Sequence, residues 1–99
     1  SNTYTSAIQT AFGSGVDIAT FRSIKHTWQI SRGTDYQMIE TMTIHNGTNA
    51  YITAYSDVKT GSNLANFDAD VSGGKMRILV TPTSATSTVV TCEYTVFKI

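Results

Sequence analysis

The sequence predicts an all-β fold: a small antiparallel β-sandwich, jelly-roll-like, of six to eight strands. Three observations lead to this expectation. Apolar and polar side chains alternate with a period of two along most of the chain, and no long segment keeps a helical period. Turn signals recur roughly every 8–12 residues, the spacing of a sandwich or small barrel. Only 14% of the residues are charged, and Thr is abundant, which suits a pleated sheet.

Six segments carry the strand pattern. They are residues 20–31, 36–45, 49–56, 67–71, 75–81 and 88–99. In the first, Ile24, His26, Trp28 and Ile30 share one face, and in the fifth Met76, Ile78 and Val80 do so. Residues 3–12 fit either a short strand or one helical turn, and "GSG" at 13–15 is expected to form a flexible joint. Together these elements predict one sandwich domain over residues 1–99, an excerpt of a longer protein, with residues 1–15 as an extension or first strand.

The turns are marked by glycine. "RGTD" at 32–35 and "SGG" at 72–74 are read as turns, and "NGT" at 46–48 is the strongest hairpin signal because Asn-Gly accepts positive φ angles. Residues 57–66 are predicted to form a long connection. Pro82 is expected to end its strand because it lacks a backbone donor.

Two strands have faces of uneven character. In 36–45, Tyr36, Met38, Met42 and Ile44 share a face, and Glu40 among them is expected to mark a bend or a sheet edge. In 49–56, Tyr51, Thr53 and Tyr55 lie opposite Ala50, Ile52 and Ala54. The pattern leaves open which of these two faces is turned to the core.

Composition excludes several classes of function. Seven basic and seven acidic residues give a net charge of zero, so the chain lacks the basic field that nucleic-acid binding needs. No apolar run is long enough for a membrane helix, which needs about 20 residues. The single cysteine, Cys92, cannot form an internal disulfide and is read as a small buried hydrophobe, in line with folding in a reducing cytoplasm.

The residues that could carry chemistry are scattered. His26 and His45 lack zinc spacing, and Asp68 with Asp70 beside "SGG" is read as turn chemistry rather than a calcium site. The sequence has no nucleophile-elbow motif, and Glu40 and Glu93 are not placed as a catalytic pair. We therefore expect no catalytic residues, no metal, no cofactor and no enzymatic activity.

Surface binding is the remaining class. Tyr51 and Tyr55 are candidates for contact with a partner or a glycan, because exposed aromatic rings can stack on sugars. Loops 46–49, 57–66 and 82–87 would then frame a shallow site. Tyr51 and Tyr55 could equally belong to the core.

The stretch "FDADVSGGKMRILVTPTSATSTVV", residues 67–90, resembles a module of virion structural proteins of tailed bacteriophages, especially those of marine bacteria and cyanobacteria. The similar form there is "FDAD-[IV]-SGG" followed by "RLLVTP-x-SATST". Residues 19–67 resemble the same family in the order of their elements: a "YRS-x-K" strand, a "GTDYQ" turn, an "E-x-x-x-IH-x-GT-x-A" hairpin and a "Y-x-x-V-x-TGS-x-L" connection. The resemblance covers roughly residues 16–97. His26 and Trp28 stand where simpler apolar residues are usual, and "CEYTVFKI" is less basic than the usual tail.

The resemblance implies a structural role in a virion. Such modules occur in tail fibres, tail spikes or similar appendages and are often repeated or trimeric. The implied partners are copies of the chain itself, as a homotrimer for example, or other virion proteins. The implied location is the virion, after synthesis in the host cytoplasm, with host attachment as the setting. A carbohydrate- or receptor-binding sandwich that contacts a host surface glycan is the alternative. The family implies no catalytic residues. Nucleic acid and a membrane are not expected partners on the grounds of composition given above.

Overall fold

The computed structural model describes residues 2–4, 9–10 and 15–99, and they form an antiparallel all-β fold, which confirms the predicted class. These ranges contain nine strands and no helix. The strands are β1 (Asn2–Tyr4), β2 (Gln9–Thr10), β3 (Val16–Asp17), β4 (Phe21–Arg32), β5 (Asp35–His45), β6 (Ala50–Lys59), β7 (Ala65–Ser72), β8 (Lys75–Pro82) and β9 (Thr88–Lys98).

The six segments predicted as strands are β4 to β9. The main difference in their boundaries is that β6 continues through residues 57–59, which were expected to belong to a connection. In the N-terminal stretch, Asn2–Tyr4 and Gln9–Thr10 are strands. The rest of the ambiguous stretch 3–12, and residues 13–14 of the predicted joint, lie outside the described residues.

Two sheets pack face to face in a sandwich. The larger sheet has the order β1-β9-β4-β5-β6, and in the smaller sheet β8 pairs with β7 on one side and with β2 and β3 on the other. β4, β5 and β6 form a meander, the chain crosses to the β7–β8 hairpin, and β9 returns beside β4. The order β9-β4-β5-β6 is therefore a Greek key.

The predicted turns are present at all three glycine signals. Gly33 and Thr34 join β4 to β5, with Gly33 at φ +60°, and Gly73 and Gly74 join β7 to β8 with φ of +59° and +78°. Positive φ at both central residues is what a type I′ hairpin requires. The third connection, Asn46–Asn49, has four residues rather than two. The Asn46 side chain accepts hydrogen bonds from the N–H groups of Thr48 and Asn49 and so closes it.

The core lies between the sheets and is centred on Trp28, which is fully buried. Its indole Nε1 donates to Thr41 Oγ1 over 2.9 Å, and its ring packs against Phe67 of the smaller sheet at 4.7 Å between centroids. The other buried apolar residues are Ile24, Ile30, Ile39, Leu64, Ala65, Met76, Ile78, Val80 and Val90. The residues predicted to share a face in β4 and in β8 do so, and in both strands this face is the buried one.

β5 presents its apolar side to solvent. Tyr36, Met38, Met42 and Ile44 are each about half exposed, whereas Gln37, Thr41, Thr43 and His45 are buried with Ile39. The register explains this arrangement, because Trp28 pairs with Ile39 and Ile30 with Gln37 across the two-residue turn. Direct cross-strand partners share a face, so the inward even-numbered residues of β4 turn the odd-numbered residues of β5 inward.

Most of the buried polar residues of β5 have hydrogen-bond partners, whereas the buried hydroxyl of Thr43 has none among the described residues. Gln37 donates through Nε2 to Asp57 Oδ1 (2.8 Å) and Asn63 Oδ1 (2.9 Å), and its Oε1 accepts from the N–H of Leu64 (2.8 Å). His45 accepts from the N–H of Gly47. These hydrogen bonds offset the cost of desolvating the side chains that form them, so this face of β5 can be buried.

Candidate interaction surface

The outward side of β9, β4, β5 and β6, which we call the outer face, holds most of the exposed apolar surface. Among the described residues, ten large hydrophobic side chains are exposed, and eight of them lie here. The eight are Tyr36, Met38, Met42, Ile44, Tyr51, Val58, Val89 and Phe97. The other two are Tyr94, on the opposite side of β9, and Ile99, which follows β9.

The pairing registers arrange the outer face in rows that cross the strands. In the strand order β9, β4, β5, β6, the first row is Phe97, Ser23, Ile44, Tyr51 and the second row is Thr95, Lys25, Met42, Thr53. The third row, in the middle of the face, is Glu93, Thr27, Glu40, Tyr55. The fourth row is Thr91, Gln29, Met38, Val58, and the fifth begins Val89, Ser31, Tyr36. The exposed apolar side chains therefore lie in the two rows at each end of the face, among serine, threonine, glutamine and lysine side chains. The third row is a polar waist that separates them.

The first two rows surround a groove of about 360 Å³. Its outward side chains are Lys25, Met42, Ile44, Tyr51, Thr53 and Phe97. Apart from Lys25 these side chains are uncharged, so the groove suits an apolar surface with scattered hydroxyl groups.

The charges near the waist are partly paired. Lys25 Nζ lies 3.5 Å from Glu40 Oε2. Tyr55 and then Glu40 raise the pKa of Lys25 above its ordinary value, because each favours the charged ammonium group. Since Lys25 and Glu40 are close enough to offset each other, the face offers little net charge with which to select an oppositely charged partner.

The outward side of the smaller sheet is different in character. Asp68 and Asp70 of β7 lie there, and Asp70 forms an ion pair with Arg77 of β8 that includes an Nε–Oδ1 contact of 2.7 Å. The guanidinium group of Arg77 lowers the pKa of Asp70 by hydrogen bonding. None of the exposed large hydrophobic residues in the described part of the chain lies on this side. The sandwich thus has one polar face and one apolar face.

One edge of the larger sheet, β6, is protected against strand addition. At the other edge, among the described residues, β1 covers β9 only over Thr88–Val90. The pairing of β6 with β5 shifts register between Met38 and Glu40, opposite Ser56, whose φ is +53°. Beyond this bulge β6 carries Asp57 and Lys59, which form an ion pair at 2.6 Å. Bulges and charged side chains are common devices that block edge-to-edge association. The prediction that Glu40 marks a bend or a sheet edge is wrong, because β5 is an interior strand with regular pairing to β4, and the extra residue of the bulge lies in β6.

Tyr51 and Tyr55 both lie on the outer face, two rows apart. Tyr51 is 55% exposed at the groove, whereas Tyr55 is half-buried beside Lys25. The loops expected to frame a site with them do not come together. Loop 46–49 follows the end of β5, whereas Thr60 bonds to Tyr36 at the start of β5 and Thr83 bonds to Leu64. The prediction of one site from all three loops is therefore wrong, because loop 46–49 lies at one end of β5 and the other two loops lie at the opposite end of the sandwich.

The described residues hold no group of three or more His, Cys, Asp or Glu side chains that could bind a metal ion. Cys92 is half-buried against the core, and burial raises its pKa to about 11, which disfavours the reactive thiolate. His26 is buried between the sheets, and burial lowers its pKa to about 4. No helix in the described ranges is long and apolar enough to cross a membrane.

Sequence reasoning named Tyr51 but missed the outer face as a whole. The missing step was to combine two signals that were both visible: the two-residue turn at Gly33–Thr34 and the apolar even-numbered face of β4. Together they determine that the odd-numbered residues of β5 face inward, and they place the even-numbered Met42 and Ile44 on the outer face. Comparison with protein-family models, with curated proteins and with solved structures gave no match to this chain.

Proposed function

We propose that this chain is a non-enzymatic structural and interaction module of a tailed-bacteriophage virion, in a tail fibre or a similar appendage. The observation that carries the proposal is the outer face, where eight exposed apolar residues are gathered on one side of a sandwich whose other side is polar. A patch of this kind marks a contact surface in soluble proteins.

The resemblance of residues 67–90 and 19–67 to phage virion modules supports the biological setting. The physical mechanism is passive: a rigid sandwich holds a flat, apolar face against copies of itself or other virion proteins. The protected β6 edge is consistent with this mechanism because it disfavours strand addition along that edge.

Two observations test the setting. The gene that encodes this chain is expected to lie among tail and baseplate genes. Antibodies raised against the purified domain are expected to label the tail region of the corresponding phage particles in immunogold electron microscopy. Labelling that is absent from intact and from gently disrupted particles, with labelling of the infected-cell extract as the positive control, would refute a virion location.

Binding of a host surface glycan is the second candidate, favoured by the exposure of Tyr51 beside the groove. A glycan array probed with the domain and with Tyr51→Ala tests it. The structural proposal expects no glycan above background with either protein. Saturable binding that Tyr51→Ala abolishes, with an unchanged unfolding midpoint, would favour the glycan function instead.

A further inference from the structure

We propose that the outer face binds the same face of a second copy, in a two-fold dimer whose axis runs parallel to the strands between β4 and β5. This inference rests on the proposed function and names the partner of its contact surface. It follows from the extent of the apolar area, the protected edge and the placement of charges in the rows.

The apolar area is of the size that a dimer needs. Eight large side chains, 37–69% exposed, leave on the order of 700 Å² of apolar surface on the two sides of the polar waist. A face-to-face contact would cover both sides together, and a standard interface buries about 800 Å² per partner. The zero net charge of the chain adds no long-range repulsion between copies.

The charges of the waist select the axis. A two-fold axis running across the strands through the third row would place Glu40 against Glu40 of the partner subunit, and Glu93 against Glu93 of the partner subunit. Opposed carboxylates with little water between them repel strongly. An axis parallel to the strands and centred on β4 would bring Glu93 against the partner's Glu40. Both arrangements are unfavourable.

An axis between β4 and β5 removes these conflicts. It places β9 over β6 of the partner subunit and β4 over its β5, row upon row. Glu93 then meets the phenol of the partner's Tyr55, and Glu40 meets the hydroxyl of the partner's Thr27; both groups can donate a hydrogen bond to a carboxylate. Each carboxylate of the third row thus meets a donor.

The same axis joins the aromatic side chains of the first row, whereas Met42 and Met38 lie over the partner's Lys25 and the partner's Gln29. In the first row, Phe97 meets the partner's Tyr51, and aromatic pairs of this kind add to the energy of simple burial. Within one chain these two residues are three strands apart, about 14 Å at the usual strand spacing. Contact between Phe97 and Tyr51 is therefore diagnostic of the dimer.

Sedimentation velocity over roughly 1 μM to 1 mM protein tests the association. The wild-type chain is expected to shift from monomer to dimer, and Tyr51→Lys to raise the dissociation constant at least about tenfold. Tyr94→Lys is the matched control: Tyr94 is 63% exposed against 55% for Tyr51, but it lies on the opposite side of the sheet. This control is expected to leave the dissociation constant unchanged. Urea unfolding establishes that each variant is folded.

Disulfide trapping tests the geometry. In a Cys92→Ser background, Tyr51→Cys and Phe97→Cys chains are purified separately and then mixed under mild oxidation. The mixture is expected to form a cross-linked heterodimer, whereas each variant alone forms far less homodimer, because its two thiols lie at opposite margins of the interface. A monomer at every concentration, a trimer, or equal cross-linking in all three samples would overturn the proposal. None of these results would affect labelling of virions, so the virion proposal is judged separately.

Discussion

We expect His26 to make the stability of this protein pH-dependent in a range where carboxylates contribute little. Its side chain is 5% exposed, its ring stacks on Trp28 at 4.6 Å between centroids, and its Nδ1 has no hydrogen-bond partner. The described neighbours that face it are uncharged: apolar residues of both sheets, the backbone at Gly15, and the Tyr94 ring at 5.9 Å. A proton on His26 would therefore be buried without a counter-ion.

The sign of the effect follows from the direction of the pKa shift. Burial lowers the pKa of His26 from 6.5 to about 4, so the unfolded chain takes up the proton at a higher pH than the folded chain does. The contribution of neutral His26 to the free energy of unfolding is therefore fully present above about pH 6.5, and it falls as the pH is lowered toward 4. For these two pKa values the loss between pH 7 and pH 4.5 is about 2.5 kcal/mol, a large part of the stability of a small domain.

Urea unfolding at pH 7 and pH 4.5 measures this loss, and His26→Phe provides the comparison. Phenylalanine keeps an aromatic ring against Trp28 and removes the titrating group. The variant is expected to lose much less than the wild type between the two pH values. The side chains of Asp57 and Asp70, whose pKa values are lowered by hydrogen bonds to Lys59 and Arg77, lose their contributions below this window. An equal loss in both proteins would refute the role assigned to His26.

Three further changes probe other parts of the fold. Gln37→Ala removes a buried amide that bonds three groups and is expected to cost about 2–4 kcal/mol in urea unfolding, whereas Gln29→Ala on the exposed side of β4 is expected to change stability by less than about 0.5 kcal/mol. Gly15→Ala would place a methyl group 2.3 Å from the Met76 carbonyl oxygen at φ +98°, so thermal unfolding is expected to show a loss above about 2 kcal/mol; an unchanged midpoint would contradict this close approach. Cys92, with its pKa raised to about 11, is expected to react with a thiol reagent at pH 8 at least about tenfold more slowly than it does in urea, and equal rates would contradict its burial.

Local signals were sufficient to predict the strands and turns. Alternation places Ile24, Trp28 and Ile30 on one face, and glycines with positive φ sit at the expected hairpins. These features depend on residues close in sequence. Their physical cause acts within a single strand or turn, so a pattern along the chain is enough to reveal it.

The composition of the outer face was not predictable strand by strand. It depends on the turn that determines which residues of β5 pair with the inward residues of β4. It also depends on buried hydrogen-bond partners far along the chain, such as Asn63 for Gln37. Glu40 contributes as well, because it shares a face with Met38 and Met42, and turning that face inward would bury its carboxylate. The position of Glu93, two strands from Glu40 with Thr27 between them, likewise required the full sheet order.

The two-residue connection at Gly33–Thr34 has a consequence for how such a protein can change over time. Because strand side chains repeat every two residues, the loss or gain of one residue there would exchange the two sides of β5 at a stroke. Methionine and isoleucine would enter the interior, and threonine, glutamine and histidine would replace them outside. A single codon, together with replacement of Glu40, would thus be enough to move the exposed apolar side chains of β5 to the interior.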